Sequence, residues 1–213
     1  MSYYRRHLPH WQPGNATYFI TFRLAGSLPS SATTRLKHKK IELQNRLSKN
    51  KLNSKLSSNI QTKIIRAYED ILDSKGGGPH WLARKDIAEI FKESIEYRNH
   101  KKYDLIAYCI MPNHVHMILK LLVHNLNDGE FTDYPLTRIL QDLKSYTGLI
   151  ANRRLNRKGS FWQSESYDHV VRDYNELERV IIYTLNNPVK AGLSEHWKKW
   201  PYSYCDPMYL PDF

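Results

Sequence analysis

The chain has 213 residues, a hydrophobic fraction of 41% and two cysteines. That is length enough for an ordinary buried core and too few thiols for a disulfide framework. No apolar run reaches the length of a membrane span, and the basic, aromatic start from Met1 to His7 lacks the apolar stretch of a secretory signal, so a cytoplasmic protein is expected. The net charge of +11 and pI near 9.5 favour a polyanionic partner, nucleic acid first, and the 12% aromatic content offers rings for stacking on unpaired bases.

The first strand is read at Ala16 to Leu24, an alternating run rich in β-branched and aromatic residues that follows the turn Pro13-Gly14-Asn15. Residues 32–73 are helical in composition and strongly basic, and read as one broken helix or two, inserted between the first strand and the break Gly76-Gly77-Gly78-Pro79. An amphipathic helix is expected from Ile87 to Tyr97. Tyr103 to Ile110 and His114 to Leu122 then form two strands joined by a tight turn at Met111-Pro112-Asn113, where proline stops the ladder and asparagine tolerates turn geometry. A long basic helix spans Pro135 to Leu155, with apolar positions Ile139, Leu140, Leu143 and Leu149. A short strand lies at Tyr167 to Arg172, and a last helix runs from Asn175 to Asn186, ended by Asn187-Pro188. The aromatic, proline-rich tail 197–213 is expected to pack back on the body. The order predicts an α+β, ferredoxin-like antiparallel sheet with two helices on one face, in a single domain 1–213 carrying the helical insertion.

In a strand, alternate side chains share a face, so His114 and His116 point the same way with Val115 turned into the core. Two imidazoles at that spacing can chelate one divalent ion and leave coordination positions open, as phosphoryl chemistry requires; they can equally sit on a solvated sheet face. Tyr183 and Asn187, four residues apart, share a helix face about one turn apart. A tyrosine hydroxyl beside a metal-bound phosphate is a usable nucleophile, and Asn187 offers an oxygen ligand. With 15 tyrosines in the chain, pattern alone does not select Tyr183.

The strings AYCIMPNHVHMIL (107–119), FWQSESYDHVVRD (161–173) and YTLNNPVKAGL (183–193), with YFITFRL (18–24) and GPHWLA (78–83), together resemble the REP-associated tyrosine transposases, members of the single-tyrosine HUH group. The likeness spans nearly the whole chain. It implies that His114 and His116 are the metal-binding pair, that Tyr183 is the nucleophile, and that Asn187 completes a Mg²⁺ or Mn²⁺ site. Magnesium prefers all-oxygen shells, so two imidazoles leave the choice of ion open. The implied substrate is single-stranded or hairpin DNA of the repetitive extragenic palindrome type, handled by a monomer or homodimer with no membrane involvement. Arg5, Arg6, Arg23, Lys144, Arg153, Arg154, Arg172 and Lys190 are candidates for phosphate contacts, while Trp162 and Tyr167 are candidates for base stacking, although an indole such as Trp162 is better suited to a core. His169, on the fourth strand, is a candidate for an outer role at the metal site.

The leading expectation is therefore cleavage and rejoining of DNA through a phosphotyrosine link. A DNA-binding regulator that has lost catalysis and a metal-dependent nuclease using water are the competing readings.

Overall fold

The computed structural model describes residues 3–5, 9–11, 15–28, 34, 78–122 and 134–211, the first two segments at the level of backbone alone. The chain divides into two compact units, residues 1–24 with 80–213 and residues 25–79. The expected helical insertion lies outside the described residues except for Thr34, which is helical and exposed.

In the larger unit the strands are β1 (Tyr3–Arg5), β2 (Pro9–Trp11), β3 (Thr17–Arg23), β4 (Tyr103–Ile110), β5 (His114–Leu121), β6 (Tyr167–Val171) and β7 (Ser203–Cys205). The helices are α1 (Lys85–Arg98), α2 (Pro135–Arg154) and α3 (Tyr174–Lys190). β1 and β2 form a separate antiparallel pair that the sequence reading did not anticipate. The other five strands make one antiparallel sheet in the order β6-β3-β5-β4-β7. Taken without β7, that is the strand order of a ferredoxin-like fold, fourth-first-third-second, as expected. The tail does return to the body, adding β7 to the edge of β4.

Side-chain alternation splits the sheet into two chemically different faces. Tyr18, Ile20, Phe22 and Leu24 of β3 join Val115, Met117, Leu119 and Leu121 of β5 in one apolar core. α1 contributes Ile87, Phe91 and Ile95 at helical spacing, and α2 contributes Leu136, Ile139, Leu140 and Leu143. Leu149, expected on that stripe, is 52% exposed, because the buried positions of α2 run on through Thr147 and Ala151 instead. β4 changes parity along its length. Its register slips between Leu105 and Ala107, so core positions shift from Tyr103 and Leu105 to Tyr108 and Ile110.

α3 covers the other face, against β4, β5 and β7. It starts at Asp173, whose side chain accepts from the Glu176 N–H at 2.8 Å. The sequence reading ended it before Asn187, but it continues through Pro188 to Lys190. A proline this close to the C-terminus removes a single rung of the ladder. The end is closed by Leu193 N–H donating to Pro188 O at 2.8 Å, with Gly192 taking the left-handed conformation such a cap needs (φ 69°).

Trp162 settles into the α1–α2 core rather than onto the surface. It is 7% exposed, its ring lies 5.1 Å from those of Phe22 and Phe91, and its indole N–H donates to Thr147 Oγ1 at 2.9 Å. At that burial the ring serves the core, and only its margin reaches a cleft beside α2. Trp162→Ala is expected to destabilise the chain by about 3–5 kcal/mol, as for other large aromatic truncations in cores. Urea denaturation followed by circular dichroism measures this.

Candidate active site

The hairpin between β4 and β5 is closed by Met111 N–H donating to His114 O at 2.8 Å, and β3 holds it through Leu24 N–H to Asn113 O at 2.9 Å. This presents His114 and His116 on the face opposite the main core, both with 1% exposure or less. Their Nε2 atoms converge to 3.0 Å. Each Nδ1 is engaged from behind, His114 with Asn113 Oδ1 at 2.6 Å and His116 with Thr21 Oγ1 at 2.9 Å. Because Asn113 Oδ1 can only accept, His114 carries its proton on Nδ1, and its Nε2 lone pair faces the gap between the rings. Burial pushes the His114 imidazolium down to about 3, and burial with the neighbouring His114 and Lys190 charges holds His116 well below the usual histidine range. Both rings are thus kept neutral, the form that binds metal.

The second half of the site comes from α3. Tyr183 meets His116 edge to face at 5.4 Å between ring centroids, and meets Phe19 likewise at 6.1 Å. Asn187 Nδ2 donates to the Tyr183 hydroxyl at 2.7 Å. Asn187 is 1% exposed, and its Oδ1 is buried without a hydrogen-bond partner. A buried, unpaired amide oxygen costs free energy unless something binds it.

These features suit a divalent ion. Two nitrogens each about 2.1 Å from one ion, at a right angle, stand about 3.0 Å apart. The Nδ1 partners are the orienting bonds that metal-bound imidazoles need, and Asn187 Oδ1 supplies an oxygen still lacking a partner. Among the described residues no cluster of three or more His, Cys, Asp or Glu exists to hold an ion elsewhere. Thr21 and Asn113 were not singled out from sequence. Asn113 was visible beside His114, but Thr21 could be found only from the β3–β5 register, which sets it opposite His116.

The remaining candidates scatter. Arg23 is 5% exposed and pairs in register with His114. Lys144 bonds Ser164 O at 2.9 Å and Ser166 Oγ at 3.2 Å, and burial together with Arg23 pulls its ammonium down to about 8, opposed by Glu165. Its cation ties down the loop before β6 and lines the cleft beside α2. Arg153, Arg154, Arg172 and Lys190 are exposed, and Tyr167 is half-buried with its ring edge-on to Phe19. The side chain of Arg5 and all of Arg6 lie outside the described residues. His169 is buried on Phe19's face of the sheet but bonds Glu176, not the histidine pair. A cleft of about 660 Å³ lies between α2 and the segment before β6, lined among others by Asn152, Phe161, Gln163 and Ser166.

A family model described as transposase, IS200-like, matches residues 80–187, half of the chain and the stretch that contains His114, His116, Tyr183 and Asn187. The chain belongs to the IS200-like transposase family. It is 32% identical over 119 residues to a Haemophilus influenzae protein that carries the name REP-associated tyrosine transposase. That alignment covers 55% of this chain and 66% of the relative, so the chain spans just under two thirds of it. A solved structure of a REP-associated tyrosine transposase bound to a REP hairpin superposes with a TM-score of 0.52, covering 95% of this chain and 82% of that one at 17% identity. At that identity the likeness is one of fold. Among the described residues no helix is long and apolar enough to cross a membrane.

Removing the bonds behind the imidazoles tests the site independently of any reaction. Asn113→Ala and Thr21→Val are each expected to weaken Mn²⁺ binding by about 10–100-fold. Isothermal titration of the DNA-free protein gives the affinities.

Proposed function

We propose that the chain is a DNA transposase that cleaves and rejoins single-stranded or hairpin DNA of the REP type through a covalent link to Tyr183. The observation that carries this reading is the meeting of Tyr183 with the histidine pair: a nucleophile-bearing helix docked at 5.4 Å on an imidazole whose partner shares a converging lone-pair gap. Family membership and the hairpin-bound fold relative support the substrate class.

His114, His116 and Asn187 would hold Mg²⁺ or Mn²⁺. When bound, the ion supplies positive charge that polarises the scissile phosphate. The chain's own groups do the rest. The Tyr183 oxygen attacks phosphorus, the new O–P bond replaces the P–O3′ bond, the phenolic proton passes to solvent, and the leaving oxygen becomes a free 3′-hydroxyl. Asn187 Nδ2–H donates to the phenolic oxygen, which favours its anionic form as attack begins. The ester keeps the bond energy, so the same 3′-hydroxyl or another can reverse the step without a nucleotide cofactor. Lys190, seven residues after Tyr183 on the same helix face, adds positive charge where phosphates would gather.

With a REP-type hairpin oligonucleotide and Mn²⁺, the native protein is expected to give a covalent protein–DNA band on a denaturing gel that Tyr183→Phe abolishes. A band that persists in Tyr183→Phe would remove the nucleophile assignment. Cut DNA free of protein at the earliest times would favour water as nucleophile, and metal-independent binding with no cleavage would favour a regulator.

A further inference from the structure

We propose that His169 and Glu176 are a positioning pair whose buried hydrogen bond, from β6 to α3, sets the rotation of the Tyr183–Asn187 helix face against His114 and His116. The catalytic consequence rests on the function proposed above; the positional claim does not.

The pair is placed where it can act on phase. Glu176 precedes Tyr183 by seven residues, nearly two full helical turns, so Glu176, Tyr183 and Asn187 lie along one face of α3. Both carboxylate oxygens are committed. Oε1 accepts from His169 Nε2 at 3.0 Å, and Oε2 accepts from the Arg172 N–H at 2.8 Å. The Glu176 backbone N–H is held in turn by the Asp173 cap at 2.8 Å. Three bonds on one residue fix the first turn of α3 in translation and in rotation.

The other end is equally determined. The His169 and Glu176 side chains are 3% and 10% exposed. His169 stands opposite Phe19 in the β3–β6 register and therefore on the same sheet face, and the Phe19 ring stacks on His116 at 5.6 Å and 13°. The Tyr183 helix is thus referenced to the strand whose ring touches the metal-binding imidazole. An apolar pair would fill the same space without direction. A buried charged hydrogen bond stabilises little more than such packing, but it fixes geometry, and losing one partner is strongly destabilising. Glu176 keeps its charge, for His169 and the Arg172 N–H hold its carboxyl below the usual range against the opposing effect of burial.

The test reads position first. In metal-free protein with 3-fluorotyrosine at position 183, the ¹⁹F resonance should be displaced from the random-coil value by the neighbouring His116 and Phe19 rings. Glu176→Ala and His169→Ala should return it toward that value with the fold intact by circular dichroism. Glu176→Gln should retain the native shift, since an amide can still accept from Arg172 and bond the imidazole. With a fluorescein-labelled hairpin and Mn²⁺, the alanine variants should form adduct about 10–100-fold more slowly, the cost of a misplaced nucleophile, while hairpin Kd by anisotropy stays put. Folded alanine variants with a native resonance overturn the proposal. So does a parallel loss of Kd and rate, which would mark a merely structural pair. Should the alanine variants not fold, the exchange variant H169E/E176H decides: a native resonance upholds the pair, and a displaced one in a folded protein overturns it. If even native protein gives no adduct, the functional reading fails while the resonance still judges the positional claim.

Discussion

Both halves of the site lean on the ring of Phe19. It stacks on His116 from β5 and meets Tyr183 from α3 edge-on, and it is fully buried. Its position is dictated by parity: on a strand whose even positions fill the main core, odd-numbered Phe19 must face the other way, together with Thr21 and Arg23. The ring buttresses both groups at once, adding to the direct contact of Tyr183 with His116 and to the packing of α3 on β4, β5 and β7. Aromatic edge contacts of this kind are directional as well as apolar. They set the position of the Tyr183 ring rather than merely cover a sheet.

Most of the fold was legible because periodicity reports burial. The runs at Tyr103 to Ile110 and from His114 alternate or stay apolar as sandwiched strands must, and the turn between them falls at Met111-Pro112-Asn113, where turn residues announce themselves. Three features escaped. The register slip in β4 is invisible because Leu105, Ile106 and Ala107 are all apolar, so nothing in the string marks where parity changes. Pro188 looked like a terminator, yet a proline near a helix C-terminus costs a single rung when a downstream glycine closes the cap. The β1–β2 pair is three residues on each side, too short to carry a pattern.

The site was legible in pieces. His114-Val115-His116 states its own geometry, because a strand leaves two alternate side chains no choice but to share a face. Tyr183 and Asn187 state theirs by helical spacing. That the two pieces touch was not in any spacing; resemblance supplied it, and the packing of α3 on β4 and β5 gives it a physical cause. The basic residues were least legible. Charge tells that a polyanion is attracted but not how each cation is placed: Lys144 bonds Ser164 and Ser166, while Lys190 is exposed. Trp162 shows the same ambiguity for rings: an indole suits a base and a core alike, and only the neighbours decide.

The three residues of β7 have a bearing on how the chain survives in solution. β4 is eight residues long and almost entirely buried, and without β7 its outer row of amides would be bare along Ala107, Tyr108 and Cys109. A long apolar strand with an unpaired edge is a template for joining other chains into aggregates. The tail closes that side by pairing Ser203, Tyr204 and Cys205 against it. The sheet's other margin is β6, five residues long, with Asp168 within it and Arg172 just beyond its end, a short and charged border of the kind that resists edge-to-edge growth. The last stretch of sequence therefore acts as a selvedge, and a chain shortened before it would keep its histidines and its tyrosine and still be prone to come out of solution.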